Sequence, residues 1–139
     1  MTSTGRLTLA SLLTLAAHAG PLPTPPALPS IPTRTLVVTD YGAVGDGTST
    51  NTAAIQEAIA AASAAGGGAV VVPKGIFLSG PIRLSDRVAL WVEGGAILRM
   101  LPLDKYPGGT IDPENFISGA SLQDVAITGP GMIDGQGTP

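Results

Sequence analysis

The feature that most constrains this chain is an alternation of short apolar runs with glycine-rich corners. The run at 88–92, its corner and the run at 96–100 are matched by the run at 125–128, its corner and the run at 132–133, beginning 37 positions later. The 15 residues at 101–115 separate the two units, and without them the repeat is 22 residues, a period typical of solenoids. Antiparallel hairpins would need two-residue turns such as Asn-Gly between the strands, and these are missing. The sequence therefore predicts an all-β fold, a right-handed parallel β-helix whose coils stop before a terminal cap.

One segment departs from this alternation and predicts a helix that caps the first coil. Residues 51–65 place Ile55, Ile59 and Ala62 on one face at helical spacing, with the Gln56 and Glu57 side toward water. Three glycines follow and are expected to end the helix, because glycine accepts the left-handed geometry of a helix C-terminus.

The residues before this helix predict a strand, a turn and a cap. Residues 36–38 form a short apolar run, and residues 40–47 contain three glycines and two aspartates, which predicts a turn rather than a regular element. Asn51 is the predicted N-cap of the helix.

The N-terminal quarter predicts export rather than folded structure. Residues 1–19 carry one arginine, an apolar run at 7–17 and the small-x-small pattern Ala17-His18-Ala19, all typical of a secretory signal peptide, although an ordinary buried helix is the alternative. Residues 20–33 contain six prolines and no charge, which predicts an extended linker or, less simply, a ligand for a proline-recognition module. The coils are expected to occupy 34–139.

Composition excludes several classes of function. The chain has 7 Lys and Arg against 10 Asp and Glu, a net charge of −3, so it offers no basic patch for nucleic acid. It has no Cys, which excludes disulfide scaffolds and thiolate chemistry, and its one His lies in the predicted signal. The apolar run at 7–17 is too short to span a membrane.

Several short motifs make the chain resemble the N-terminal part of the family 28 glycoside hydrolases, the polygalacturonases, within the pectate-lyase-like superfamily. The resemblance covers residues 35–137, and its ending, Gly-Pro-Gly-x-Ile-Asp-Gly-Gln-Gly, is more specific to this family than its beginning. The motifs are Asp40-Tyr41-Gly42-Ala43-Val44-Gly45-Asp46-Gly47, Asn51-Thr52-Ala53-Ala54-Ile55-Gln56, Val70-Val71-Val72-Pro73-Lys74-Gly75, Phe77-Leu78-Ser79-Gly80-Pro81-Ile82, Asp104-Lys105-Tyr106-Pro107 and Ile127-Thr128-Gly129-Pro130-Gly131-Met132-Ile133-Asp134-Gly135-Gln136-Gly137.

The resemblance implies an enzyme that hydrolyses α-1,4-galacturonosyl links of pectin with inversion and without a cofactor. The predicted signal peptide adds that the enzyme is secreted, and we expect it to act as a monomer. The family's Asn-Thr-Asp, Asp-Asp, Gly-His-Gly and Arg-x-Lys motifs are all missing from these 139 residues. No catalytic residue is therefore assigned here, the catalytic coils are expected beyond Pro139, and this chain alone is expected to be inactive. Two alternatives stay open: a non-hydrolytic carbohydrate-binding β-helix of the adhesin or tailspike kind, and a calcium-dependent pectate lyase.

Three side chains are candidates for contact with a sugar. Trp91 offers a flat ring for stacking, although its place in an alternating strand favours core or inter-coil packing. Lys105 and Tyr106 lie in the inserted loop and are within reach of an acidic sugar if that loop overhangs a cleft, although its Pro and Gly content also fits a simple excursion.

The acidic residues are expected to serve structure. Asp134 lies at a glycine-rich corner, and Asp40 and Asp46 are expected to accept hydrogen bonds from amides of their own loop. A calcium site from these two and Asp86 would suit oxygen chemistry but matches no known loop spacing, so no metal site is predicted. Glu93 is expected to pair with Arg99 across a corner.

Overall fold

A computed structural model describes residues 20–137. The predicted signal peptide at 1–19 and the last two residues lie outside the described residues, and the domain boundaries stay predictions. The elements are β1 Thr35–Val37, β2 Asp46–Thr50, α1 Thr52–Ala64, β3 Gly68–Val72, β4 Gly75–Ser79, β5 Ile82–Arg83, β6 Val88–Val92, β7 Ala96–Met100, β8 Ile117–Ser118, β9 Ala126–Thr128 and β10 Met132–Asp134.

The strands form three sheets in which every pair is parallel. The first sheet has the order β1-β3-β6-β9, the second β10-β7-β4-β2, and the third pairs β5 with β8. Strands that follow one another in the chain thus belong to different sheets, and each pairs with a strand one coil away. This winding confirms the predicted parallel β-helix.

The register confirms the predicted repeat. Leu90 pairs with Ile127, 37 residues on, so the inserted loop leaves the alignment of the coils intact. Without an insertion one coil takes 20 residues in the first sheet, where Val70 pairs with Leu90, and 21 in the second, close to the predicted 22.

The core is a stack of side chains that point inward from successive coils. Val70 and Leu90 are neighbours in the first sheet, Phe77 and Leu98 in the second, and all four are essentially inaccessible to solvent. Apolar burial of this kind contributes about 25 cal/mol per Å² and is the main favourable term for folding.

Helix α1 takes the place that a third-sheet strand has in later coils. Its buried face, Ile55, Ile59 and Ala62, is as predicted, and the helix contacts β1, β3, β5 and β6. Gln56, predicted to face water, instead bonds to the backbone of β5. Its Nε2 donates to the Arg83 carbonyl at 2.9 Å, and its Oε1 accepts from the Arg83 amide at 3.0 Å. A side-chain amide thus takes the place of a neighbouring strand.

The turn predicted at 40–47 is wrong in part. Residues Val38–Tyr41 form one turn of 3₁₀ helix, and Asp46–Thr50 form β2, which pairs with β4 at a register that shifts. The strand was missed because its sequence, Asp-Gly-Thr-Ser-Thr, has no apolar residue to mark a buried face. Strand β2 forms because it pairs with β4, which its own composition does not predict.

Asn51 stands at the N-terminus of α1 but does not cap it with its side chain, contrary to the prediction. The side chain turns back to the preceding loop, where Oδ1 accepts from the Val44 amide at 2.7 Å. Its Nδ2 donates to the carbonyls of Val44 and Ser49, both at 3.0 Å. Asn51 is 2% exposed, so its buried side chain provides hydrogen-bond partners for backbone groups of the preceding loop.

The Gly-Pro-Gly corner after β9 reflects close stacking of backbones. A Cβ atom on Gly129 would collide with the Val92 carbonyl, and one on Gly131 with the carbonyl of Glu93. Gly129 also has a φ of +110°, which other residues rarely adopt. This motif is therefore a requirement of coil stacking.

Candidate functional site

The third sheet forms the floor of a polar cavity. Arg83 of β5 and Ser118 of β8 are register partners, and they project outward because the preceding pair contains the fully buried Ile82. The strands are joined by hydrogen bonds from the Ile82 amide to the Phe116 carbonyl and from the Leu84 amide to the Ser118 carbonyl, each 2.8 Å. With Gln56 holding the other edge of β5, this floor is fixed on both sides.

The inserted loop forms the wall of the cavity. Tyr106 is 4% exposed and anchors the loop on the body of the protein. The Gly109 amide donates to the Tyr106 carbonyl at 2.9 Å, and the Asp112 amide donates to the Gly108 carbonyl at 3.1 Å. Gly108 has a φ of +81°, and a Cβ atom there would collide with the Asp112 carbonyl, so glycine permits this close fold.

The cavity has a volume of about 490 Å³, and its charged groups carry no ion pair. It is lined by Arg83, Asp112, Pro113, Glu114, Asn115 and Ser118. Within residues 20–137 the single ion pair is that between Arg99 and Asp134. One guanidinium and two carboxylates therefore line a common space, and none of the three is held in a salt bridge among the described residues.

Tyr106 does not reach a sugar from the loop, because its ring is buried. Its hydroxyl is also buried and has no hydrogen-bond partner among the described residues. Burial raises the pKa of the Tyr106 hydroxyl, and the negative charge of Glu114 raises it further. Lys105, the other loop candidate, is exposed but does not line the cavity.

Trp91 does not enter the core, one of the two packing roles expected for it, and its position fits the other, packing between coils. It lies on the outer face of the first sheet between the register positions of Val71 and Thr128, and it is 41% exposed. Its stacking on a sugar stays a prediction.

Arg99 pairs with Asp134 rather than with Glu93. The two side chains come from neighbouring strands of the second sheet and meet at 2.8 Å. The Gln136 amide also donates to Asp134 at 2.9 Å, and this bond, followed by the Arg99 contact, holds the pKa of Asp134 below its usual value. Asp134 thus has the corner-stabilising role that was predicted.

The three aspartates considered for calcium serve separate structural roles or none. Asp46 accepts from the amides of Ser49 and Thr48 and from the Ser49 hydroxyl, and these bonds hold its pKa well below the usual range. Asp86 accepts from the Gln123 amide. Asp40 accepts no hydrogen bond among the described residues, so the expectation that it binds amides of its own loop is wrong for Asp40 and right for Asp46. Between residues 20 and 137 no three His, Cys, Asp or Glu side chains group as metal ligands would. The same residues contain no helix long and apolar enough to cross a membrane.

The cavity was not predicted from the sequence. Its lining comes from Arg83 of β5 and from residues 112–118 of the loop and β8, which are distant from it in the sequence, and no motif links them. The signal that could have found it is the repeat. Strands β5 and β8 pair 35 residues apart, two fewer than the predicted offset of 37, so the repeat places β8 close to β5.

The chain is similar in sequence and in structure to several known proteins. A family model for rhamnogalacturonase A/epimerase, pectate lyase-like, matches residues 36–96. An exopolygalacturonase from Zea mays is 34% identical over 105 residues, covering 72% of this chain and 24% of the relative. An exo-poly-alpha-D-galacturonosidase from Dickeya chrysanthemi is 30% identical over 121 residues, covering 75% and 20%. The crystal structure of an exopolygalacturonase from Thermotoga maritima superposes with a TM-score of 0.70 at 31% identity, covering 79% and 27%.

The parallel coils and these matches define a β-helical protein of the pectate-lyase-like superfamily. Within it, the chain belongs to the family 28 glycoside hydrolases, the polygalacturonases. It spans about a quarter or less of the length of these three relatives.

Proposed function

We propose that these residues are part of a hydrolase that cleaves α-1,4-galacturonosyl links in pectic polysaccharides with inversion. The observation that carries the proposal is the match, over 72–79% of this chain, to polygalacturonases from a plant and from bacteria. Inversion requires a protonated carboxyl and a carboxylate held apart by the width of a water molecule.

The catalytic carboxylates of the proposed hydrolase are assigned to coils outside these 139 residues. The chain contains no Asn-Thr-Asp, Asp-Asp, Gly-His-Gly or Arg-x-Lys sequence. The carboxylates that it does contain near corners, Asp46 and Asp134, are engaged with backbone amides and with neighbouring side chains. In this proposal the chain contributes scaffold and substrate contacts, and the chemistry is done elsewhere.

The proposal includes export and action as a monomer. Its support for export is the pattern of residues 1–19, with a basic start, an apolar run and Ala17-His18-Ala19. A pectic polymer lies outside cells, so a secreted hydrolase would meet its substrate there. N-terminal sequencing of the exported protein, with Gly20 expected as the first residue, tests this part.

The coding DNA downstream of codon 139 tests the catalytic part. We expect further coils that contain Asn-Thr-Asp, Asp-Asp and Gly-His-Gly, and we expect the protein encoded by that whole reading frame to release reducing sugar from polygalacturonate. A reading frame without these motifs, or a whole protein that releases no reducing sugar, would overturn the proposal. Release by the 139-residue chain itself would overturn the assignment of catalysis to other coils.

A further inference from the structure

We propose that the cavity between the third sheet and the inserted loop binds one hexuronate residue of an acidic polysaccharide, with Arg83 as the group that recognises the carboxylate. This inference rests on the proposed function, because it names a substrate contact made by this chain. It concerns a site formed by β5, β8 and residues 112–115.

Arg83 has the chemistry and the freedom to bind a carboxylate. A guanidinium presents a planar fork of donors that matches the two oxygens of a carboxylate. The side chain of Arg83 is exposed and makes no ion pair among the described residues, whereas that of Arg99 is already held by Asp134. The backbone of Arg83 is held by Gln56, so the base of the side chain is fixed while its end is free.

The other lining groups suit the hydroxyls of a sugar. The carboxylates of Asp112 and Glu114 accept hydrogen bonds, and Asn115 and Ser118 both donate and accept. A uronate ring carries one carboxylate and several hydroxyls, so it matches one cation surrounded by acceptors. A simple anion such as phosphate would engage Arg83 but would leave most of these acceptors without a donor.

The cavity is preformed and of suitable size. Its volume of about 490 Å³ lies within the roughly 300–1,000 Å³ range of ligand pockets. Hydrogen bonds between β5 and β8 fix the floor, and the buried ring of Tyr106 together with the close fold at Gly108 fixes the wall. A preformed site loses less entropy on binding than one that must be ordered.

Calorimetric titration of the 139-residue chain with trigalacturonate and with its methyl ester tests the inference. We expect saturable binding of the acid and about tenfold weaker binding of the ester, because esterification removes the charge that Arg83 recognises. We expect the Arg83→Gln variant to bind the acid about tenfold more weakly than the original chain does. We also expect this variant to bind the acid no more tightly than it binds the ester.

The matched control is Arg87→Gln, which removes an exposed arginine four positions along the chain that does not line the cavity. We expect it to preserve both the affinity and the preference for the acid. Circular dichroism of both variants establishes that the fold is kept. Equal affinity of Arg83→Gln and the original chain would overturn the inference, as would the failure of the original chain to bind trigalacturonate.

The two proposals fail in different ways. If the whole protein hydrolyses polygalacturonate but Arg83→Gln changes no affinity, the cavity is not a uronate site and the proposed function stands. If the chain binds the acid through Arg83 but the downstream coding sequence lacks the catalytic motifs, the site stands and the proposed hydrolase does not.

Discussion

The middle coil and the coil that contains β9 and β10 place similar residues at equivalent positions but bury them very differently. Leu90 is fully buried, whereas its register partner Ile127 is 45% exposed. Leu98 is fully buried, whereas its partner Ile133 is 41% exposed. An inward position is therefore buried by the coil on each side of it, and residue type alone does not decide its burial.

In the first coil, different groups cover the interior and the edge of the third sheet. Instead of a third-sheet strand it has helix α1, whose apolar face fills the interior and whose Gln56 pairs with the edge of β5. Asn51 satisfies the loop before the helix from a buried position. At this end of the protein, side chains therefore make the hydrogen bonds to backbone groups that neighbouring strands make between later coils.

The largest difference between the two coils is expected when both inward positions are truncated. Leu90→Ala should lower the free energy of unfolding by about 3 kcal/mol, because it leaves a cavity in a fully packed interior. Ile127→Ala in the 139-residue chain should lower it by less than about 1 kcal/mol, because in that chain the side chain is already half in solvent. Urea unfolding followed by circular dichroism measures both, and equal losses would contradict the comparison.

Removing the buried side-chain amide of Asn51 tests whether its hydrogen bonds stabilise the first coil. Asn51→Ala should cost about 2 kcal/mol, because the amide and carbonyl of Val44 and the carbonyl of Ser49 lose their buried partner. Asn115→Ala is the matched control and should change the free energy of unfolding by less than about 0.5 kcal/mol, since Asn115 is exposed. A loss of unfolding free energy in Asn51→Ala no larger than that in Asn115→Ala would contradict this role of Asn51.

A smaller effect is expected where α1 pairs with β5. Gln56→Ala should cost about 1 kcal/mol in unfolding free energy, because the Arg83 amide and carbonyl lose both partners at a position that water reaches in part. Glu57→Ala, at the next and exposed position, should have little effect. Hydrogen exchange of the Arg83 amide should accelerate in the first variant only, and unchanged protection there would argue against this pairing.

The smallest effect is a dependence on pH at the first coil. Hydrogen bonds from Ser49 and Thr48 lower the pKa of Asp46 in the folded state, so its ionised form stabilises the fold above about pH 4, the unfolded value. This contribution is lost as the pH falls toward the lowered folded pKa. Asp46→Asn should therefore flatten the decline in thermal midpoint below about pH 4, with Ser49→Ala intermediate. An unchanged decline in both variants would refute this role.

The coils were largely predictable from the sequence, whereas the cavity was not. The bounds of β6 and β7 and the buried face of α1 follow from apolar runs and helical spacing, and the 37-residue offset aligned Leu90 with Ile127. Strand β2 has no apolar residue, and β8 has only two residues, so neither gives a local signal. Arg83 and Asn115 line the same cavity only because the chain makes one turn of the β-helix between them.

Saturation-transfer NMR of trigalacturonate with the 139-residue chain tests the central claim, that these coils bind an acidic sugar but do not cleave it. The account predicts saturation transfer to the ring protons of the sugar, loss of that transfer in Arg83→Gln, and a constant set of anomeric signals over time. New reducing-end anomeric signals, or no transfer to the original chain, would contradict it.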